Sequence, residues 1–217
     1  MIIVDDLKKD YDGGLVQALR GVSLEIGKGE AVSVMGPSGC GKSTLLNLIG
    51  ALDLPTAGEI RIDGRPLMDY RPFDSFRAKM IGFVFQFHHL IPNLTLLENV
   101  ELPMYSFPIP KGERRKKAIR LLDEMGLEDR RHFLPTRVSG GERQRAAIAR
   151  AIINDPSIIL ADEPTGSVDT FIGNQIIEFL LGLCREKRTT MIVATHNHEL
   201  AARTDRIIRL RNGLIEV

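Results

Sequence analysis

Apolar and polar positions alternate, cluster and break along this chain in a way that marks short strands and helices in turn. Val22 to Ile26 (VSLEI) alternates with the period of two of a half-buried strand, Gly27 to Glu30 turns, and Ala31 to Met35 (AVSVM) is an apolar strand that runs into Gly36. Helical spacing follows from Ser43 to Ala51, and Gly58 to Asp63 is a further short strand ending at the Asp63-Gly64 turn. Between Phe87 and Pro135 the texture changes. Prolines are more frequent and a charged helix is predicted from about Lys111 to Met125, as in an inserted helical subdomain. From Ser139 the alternation returns: a helix to about Asn154, a buried-type strand from Ser157 to Ala161, a helix from about Phe171 to Arg185 and a strand from Thr189 to Thr195. Asn212-Gly213 between two apolar stretches predicts a terminal hairpin. The pattern predicts an α/β fold over 1–217, with a core from 1–86 and 155–217 and a helical insert over about 87–154. We find no internal repeat or low-complexity linker.

Composition narrows the classes. A chain of 217 residues is long enough to build its own core. Lys and Arg number 29 against 28 Asp and Glu, so no global charge pushes it toward nucleic acid or anionic lipid. The run from Lys111 to Arg120 is basic, but Glu113, Asp123 and Glu124 beside it make it a solvated helix face rather than a nucleic-acid site. Two cysteines, Cys40 and Cys184, are too few for a disulfide framework, and a reducing compartment is expected. The first ten residues lack the pattern of a secretory signal, and no apolar run approaches the ~20 residues of a membrane span.

Two segments carry chemistry. Gly36, Pro37, Ser38, Gly39, Cys40, Gly41, Lys42 and Ser43 fit the G-x-x-x-x-G-K-[ST] phosphate loop, between an apolar strand and a helix that continues with Thr44. Its glycines let main-chain N–H groups turn toward phosphate oxygens at a positive helix end, Lys42 is placed for the β- and γ-phosphates, and Ser43 is a ligand for Mg²⁺. The spacing does not fit the G-x-G-x-x-G of a dinucleotide fold. Ile158 to Glu163 is an apolar strand that ends in two carboxylates. Alone these are a solvated strand end; beside a phosphate loop, Asp162 suits contact with Mg²⁺ and Glu163 polarisation of the attacking water. Cys40, inside this loop, is a candidate oxidation-sensitive thiol.

Val138-Ser-Gly-Gly-Glu-Arg-Gln144 separates this chain from other phosphate-loop proteins. Ser139 and Glu142 have the spacing of a capping box, but two glycines weaken a helix start, and Gly140 and Gly141 are better explained by a close backbone approach to an anion. Ser139 to Gln144 resembles the signature sequence of the ATP-binding-cassette (ABC) ATPases, and the resemblance extends over the whole chain. In that family Tyr11 corresponds to the aromatic residue that stacks on adenine, Gln86 to the Q-loop glutamine, Asp169 to the D-loop aspartate and His196 to the switch histidine. On the residues alone, Tyr11 reads equally as an edge aromatic, Gln86 as a surface amide and Asp169 as a helix N-cap. His88, His89, His132 and His198 are read as surface or packing residues. Gly50 to Gly58, Phe83 to Gln86 and Leu94 to Val100 resemble the lipoprotein-releasing, macrolide-export and cell-division (LolD, MacB and FtsE) group. Val138 and Val168 stand where that family usually has Leu.

The resemblance implies a phosphate-loop NTPase core with a mixed sheet, an N-terminal antiparallel β subdomain and a helical subdomain holding the signature. It implies ATP hydrolysis with Mg²⁺, with Glu163, His196, Lys42 and Gln86 in catalysis and Ser43, Gln86 and Asp162 around the metal. It also implies a head-to-tail homodimer in which Ser139, Gly140, Gly141 and Glu142 of one subunit, with Asp169, complete the other's site. The expected partner is a membrane-spanning permease on a separate chain, met at the cytoplasmic face of the membrane through roughly Phe87 to Val100, where Leu90, Ile91, Leu94 and Leu97 each read either as groove residues or, at least equally, as plain core packing. A soluble ABC ATPase acting on nucleic acid or ribosomes is the alternative.

Overall fold

The period-two and all-apolar strands separate into two sheets. A computed structural model describes residues 1–216, and its elements run β1 (Ile2–Tyr11), β2 (Val16–Ile26), β3 (Ala31–Met35), α1 (Lys42–Ile49), β4 (Ala57–Ile62), β5 (Arg65–Pro66), α2 (Phe73–Met80) and β6 (Ile81–Val84). They continue with α3 (Leu96–Glu101), α4 (Lys111–Glu124), α5 (Gly140–Ile152), β7 (Ile158–Asp162), α6 (Thr170–Lys187), β8 (Thr190–Thr195), α7 (His198–Ala201), β9 (Arg206–Arg211) and β10 (Leu214–Ile215). The half-polar strands form an antiparallel sheet of order β2-β1-β4-β5. The apolar strands form a six-stranded sheet of order β10-β9-β3-β8-β7-β6, parallel except for the β9-β10 hairpin. The α/β expectation, with one antiparallel and one mixed sheet plus helices, is met.

Strands buried on both faces must be covered on both faces. On one side, α1 and the antiparallel sheet enclose Leu19, Val22, Leu45, Leu48, Ile49 and Ile192. On the other, α3, α4, α5 and α6 enclose Leu97, Met104, Leu122, Ile148, Ile159 and Leu180. Four helices are capped by side chains that satisfy orphan N–H groups: α3 by a Thr95/Glu98 capping box, α5 by a Ser139/Glu142 box, α6 by Asp169 and α7 by Asn197.

The sequence pattern left gaps. It did not mark β1, and it began β2 at Val22 where the strand starts at Val16. It also missed the short helices α2 and α3. Leu97 is fully buried in the helical core, and Leu90 packs against that core, so neither lines an open groove.

Candidate nucleotide site

The phosphate loop leaves β3 at its C-terminal edge and opens α1. Its first glycine is required by packing: a Cβ on Gly36 would lie 2.0 Å from the carbonyl oxygen of Leu210 in β9. Gly41, the residue before α1, has φ +106, and a Cβ there would lie 2.5 Å from Ala18 O, so its shape and its surroundings both require glycine. Pro37, Ser38 and Gly39 are exposed, while Cys40 is buried. The Lys42 ammonium stands 4.0 Å from its sulfur, as an oxidation-sensitive thiol would need, but burial limits an oxidant's access. Lys42 is only 9% exposed, and its ammonium donates to Gly36 O at 2.7 Å and Pro37 O at 3.0 Å. A buried ammonium needs such acceptors.

Parallel pairing of β7 with β8 sets Asp162 opposite Ala194, so the chain beyond β7 meets the chain beyond β8. Asp162 faces Ser43, and its carboxyl is held above the usual range by burial first and by the neighbouring charge of Glu163, against the pull of Ser43 and Lys42. Glu163 sits in the left-handed region at φ 45, a conformation that bulky residues keep only when their surroundings enforce it. The surroundings are visible. Its N–H donates to Ala194 O at 2.9 Å, Thr195 Oγ1 donates to Oε2 at 3.2 Å, and Oε1 accepts from His196 N at 3.1 Å. The His196 ring nitrogen Nδ1 lies 2.8 Å from the same Oε1, and because a carboxylate only accepts, that contact requires hydrogen on Nδ1.

Tyr11 ends β1 beside the loop. Its hydroxyl donates to Asp53 at 2.9 Å and contacts Thr44, and the Lys9 ammonium stands 4.9 Å from its ring centre. Gln86, just past β6, lies against the Glu163 to Asp169 segment: a Cβ on Gly166 would meet its Nε2 at 3.1 Å. Gln144 ties the same two segments, donating to Pro164 O at 2.7 Å and reaching Phe85 O at 3.5 Å. Asp169 caps α6 by accepting from Ile172 N at 3.0 Å.

The signature segment stands apart from the loop. Among the described residues no hydrogen bond joins 36–44 to 139–142. Ser139 Oγ accepts from Glu142 N at 3.2 Å, Glu142 accepts from Ser139 N at 2.7 Å, and Glu142 also pairs with Arg130 at 3.0 Å. The Glu142 carboxyl is held low, chiefly by the Ser139 N–H. The glycines have an explanation within the chain as well: a Cβ on Gly140 would meet Ser167 O at 3.3 Å and one on Gly141 would meet Ile172 Cδ1 at 2.9 Å.

The model of the ABC transporter family matches residues 19–166. An uncharacterized ABC transporter ATP-binding protein of Thermotoga maritima is 50% identical over 215 residues, which cover 97% of this chain and 92% of that one. The chain belongs to the ABC transporter ATPase family. Another relative of this ABC ATPase, the lipoprotein-releasing system ATP-binding protein LolD of Syntrophus aciditrophicus, is 44% identical over 219 residues, or 99% and 98% of the two chains. A solved dimer of a bacterial ABC transporter cassette superposes with a TM-score of 0.94 at 45% identity, over 100% of this chain and 97% of that one. A dimeric post-hydrolysis state of an ATP-binding cassette bound to ADP and Pi matches at 0.94 and 44% identity, over the same shares of the two chains. This ABC ATPase therefore binds and hydrolyses ATP as the nucleotide-binding subunit of a transporter.

Sequence reasoning missed one part of its surface. A cleft of about 360 Å³ is lined by Leu52, Phe83, Phe85, His89, Pro103 and Arg150, among others, and the candidates Leu90, Ile91, Leu94 and Leu97 are not in its lining. Exposed Phe87 and Ile91 lie in the same stretch of chain. The cleft gathers residues from segments distant in sequence, from Leu52 to Asn154, so no local pattern marks it.

Proposed function

We propose that this subunit serves a transporter of the lipoprotein-release or export type, with two copies closing head to tail on two ATP molecules at the cytoplasmic face of a membrane. The separate membrane-spanning partner would dock over the cleft beside Phe83 and Phe85. Full-length likeness to LolD relatives and to dimeric cassettes supports this reading. Among the described residues no helix is long and apolar enough to cross a membrane.

The observation that carries the site is the clamp on Glu163. Three donors from Thr195 and His196 hold its carboxylate at the end of β7, next to Asp162, which faces Ser43. Glu163 orients and deprotonates the attacking water, and His196 holds Glu163 and senses the γ-phosphate. Lys42 leaves the loop carbonyls for the β- and γ-phosphate oxygens. The loop N–H groups from Gly36 to Thr44 cradle the phosphates and Tyr11 supports the adenine. Ser43, Asp162 and the amide oxygen of Gln86 are hard oxygen donors suited to Mg²⁺, an ion that binds through few protein ligands and substrate phosphates. Bound there, Mg²⁺ would neutralise charge on the β- and γ-phosphates. Ser139, Gly140, Gly141, Glu142 and Asp169 serve the nucleotide of the partner copy.

The test is Glu163→Gln, which keeps the acceptor for Thr195 and removes the base. It should bind ATP, dimerise and lose ATPase by at least about a hundredfold, the scale of a general base. Turnover near the parental rate would remove Glu163 from this role.

A further inference from the structure

His88 is one of the nine buried polar or charged residues among those described, at 8% exposure, and it stands two residues beyond Gln86. Its ring Nε2 is 3.2 Å from Ser167 Oγ, in the segment between Glu163 and Asp169. Gly140, at the start of α5, packs on that same segment, since its added Cβ would meet Ser167 O at 3.3 Å. The imidazole thus joins the segment after β6 to the one before α6, on which the start of the signature helix packs.

The backbone beneath the ring is built to keep it there. His88 and His89 are both left-handed, at φ 62 and φ 47, and adjacent non-glycine residues hold such angles only under external constraint. Arg150 supplies the constraint. Its guanidinium donates to His88 O at 2.7 Å and to His89 O at 2.6 Å. A neutral imidazole can make one donated and one accepted hydrogen bond.

We infer that His88 is a positioning residue for ATP hydrolysis, whose ring fixes the segment carrying Gln86 against Ser167, on which Gly140 packs, so that Gln86, Glu163 and the signature reach their working geometry together. The inference rests on the assignment of Gln86 and Glu163 above. It predicts that loss of the ring slows the chemical step and leaves nucleotide binding intact, because Lys42, Ser43 and Tyr11 are not among its contacts.

The experiment measures kcat and KM for ATP in the purified protein carrying His88→Ala, His88→Gln, Ser167→Ala or His88→Ala with Ser167→Ala. His88→Ala should lower kcat by about ten- to a hundredfold, the scale of a small misplacement of catalytic groups, with KM near the parental value. His88→Gln, whose amide reaches toward the position of Nε2, should recover most of the loss. Ser167 is exposed, so Ser167→Ala should fold and show a smaller fall in kcat, and the double variant should be no slower than His88→Ala. Parental kcat in His88→Ala overturns the inference. So does failure of His88→Gln to recover, or full additivity in the double variant, since a ring that only fills space would give both. Glu163→Gln measured alongside separates the two readings: if it turns over normally the site assignment falls and this inference with it, whereas if only the His88 variants are unaffected the site stands and His88 is excluded.

Discussion

Ser139 is asked to do two things, and one pair of substitutions separates them. Its Oγ accepts from Glu142 N at 3.2 Å, which caps α5, and a hydroxyl that accepts still has its own hydrogen to give. Ser139→Ala removes the cap at a cost of about 1 kcal/mol, or roughly 2–4 °C in Tm for a domain of this size. If the hydroxyl also donates to the γ-phosphate held by a partner copy, the substitution removes a hydrogen bond to a charged group, worth about 1.5–3 kcal/mol, twice in a symmetric dimer. The resulting ~3–6 kcal/mol is a weakening of ATP-driven dimerisation by about 10² to 10⁴. Glu142→Ala is the comparison, since Glu142 serves the partner's nucleotide only by holding the Ser139 end of α5. It removes the acceptor for Ser139 N, at 2.7 Å, and the pair with the part-exposed Arg130, so it should destabilise the monomer at least as much, yet it leaves the hydroxyl in place. Sedimentation with ATP and Mg²⁺ in the Glu163→Gln background measures the dimer, and thermal melts measure the monomer. Equal losses of dimer in the two variants, in step with Tm, would reduce Ser139 to a cap and refute its contact with phosphate.

Two further outcomes follow from packing and charge. Gly36→Ala places a Cβ 2.0 Å from Leu210 O, a main-chain atom that cannot step aside, so nucleotide binding measured with a fluorescent ATP analogue should be lost together with Tm; an unchanged Tm would show that β9 yields. Asp53 is pushed up by burial, but the hydrogen bonds from Lys9, Leu54 N–H and Tyr11 outweigh it and hold its carboxyl below the ordinary 3.8. A depressed carboxyl stabilises the fold above its unfolded value and loses that contribution as pH falls through its folded value. Asp53→Asn should therefore melt below the parent at neutral pH, with the gap closing in acid below about pH 3.8, and a gap constant across that range would refute the charge-based account.

What could be read in the sequence follows from how local each signal is. β3, β7 and β8 are buried on both faces and stand out as apolar runs, and the phosphate loop is contiguous, so both were legible. β1 was not, because its pairing with β2 shifts register between Val4 and Leu7, between Leu7 and Lys8 and between Lys9 and Asp10, and each bulge breaks the period of two on which strand reading depends. α2 buries only Phe76 and so shows no apolar stripe, whereas α3 carried a legible signal in its Thr95/Glu98 box. The clamp on Glu163 joins residues 33 apart through the pairing of β7 with β8, which family likeness could suggest and spacing could not.

The glycines of the signature mark the limit most clearly. An anion brought by another molecule was the sequence-based reason for Gly140 and Gly141, and the structure adds a second from inside the chain, where a Cβ would crowd Ser167 O at 3.3 Å and Ile172 Cδ1 at 2.9 Å. The two reasons are compatible, because a helix end pressed against Ser167 with its hydroxyl cap turned to solvent is held rigid for an incoming phosphate. They differ in what they forbid. Packing on Ile172 Cδ1 meets the far end of a flexible side chain, so Gly141→Ala should cost the monomer little, and a strong loss of ATP-driven dimer in that variant would have to come from the approach of the second copy.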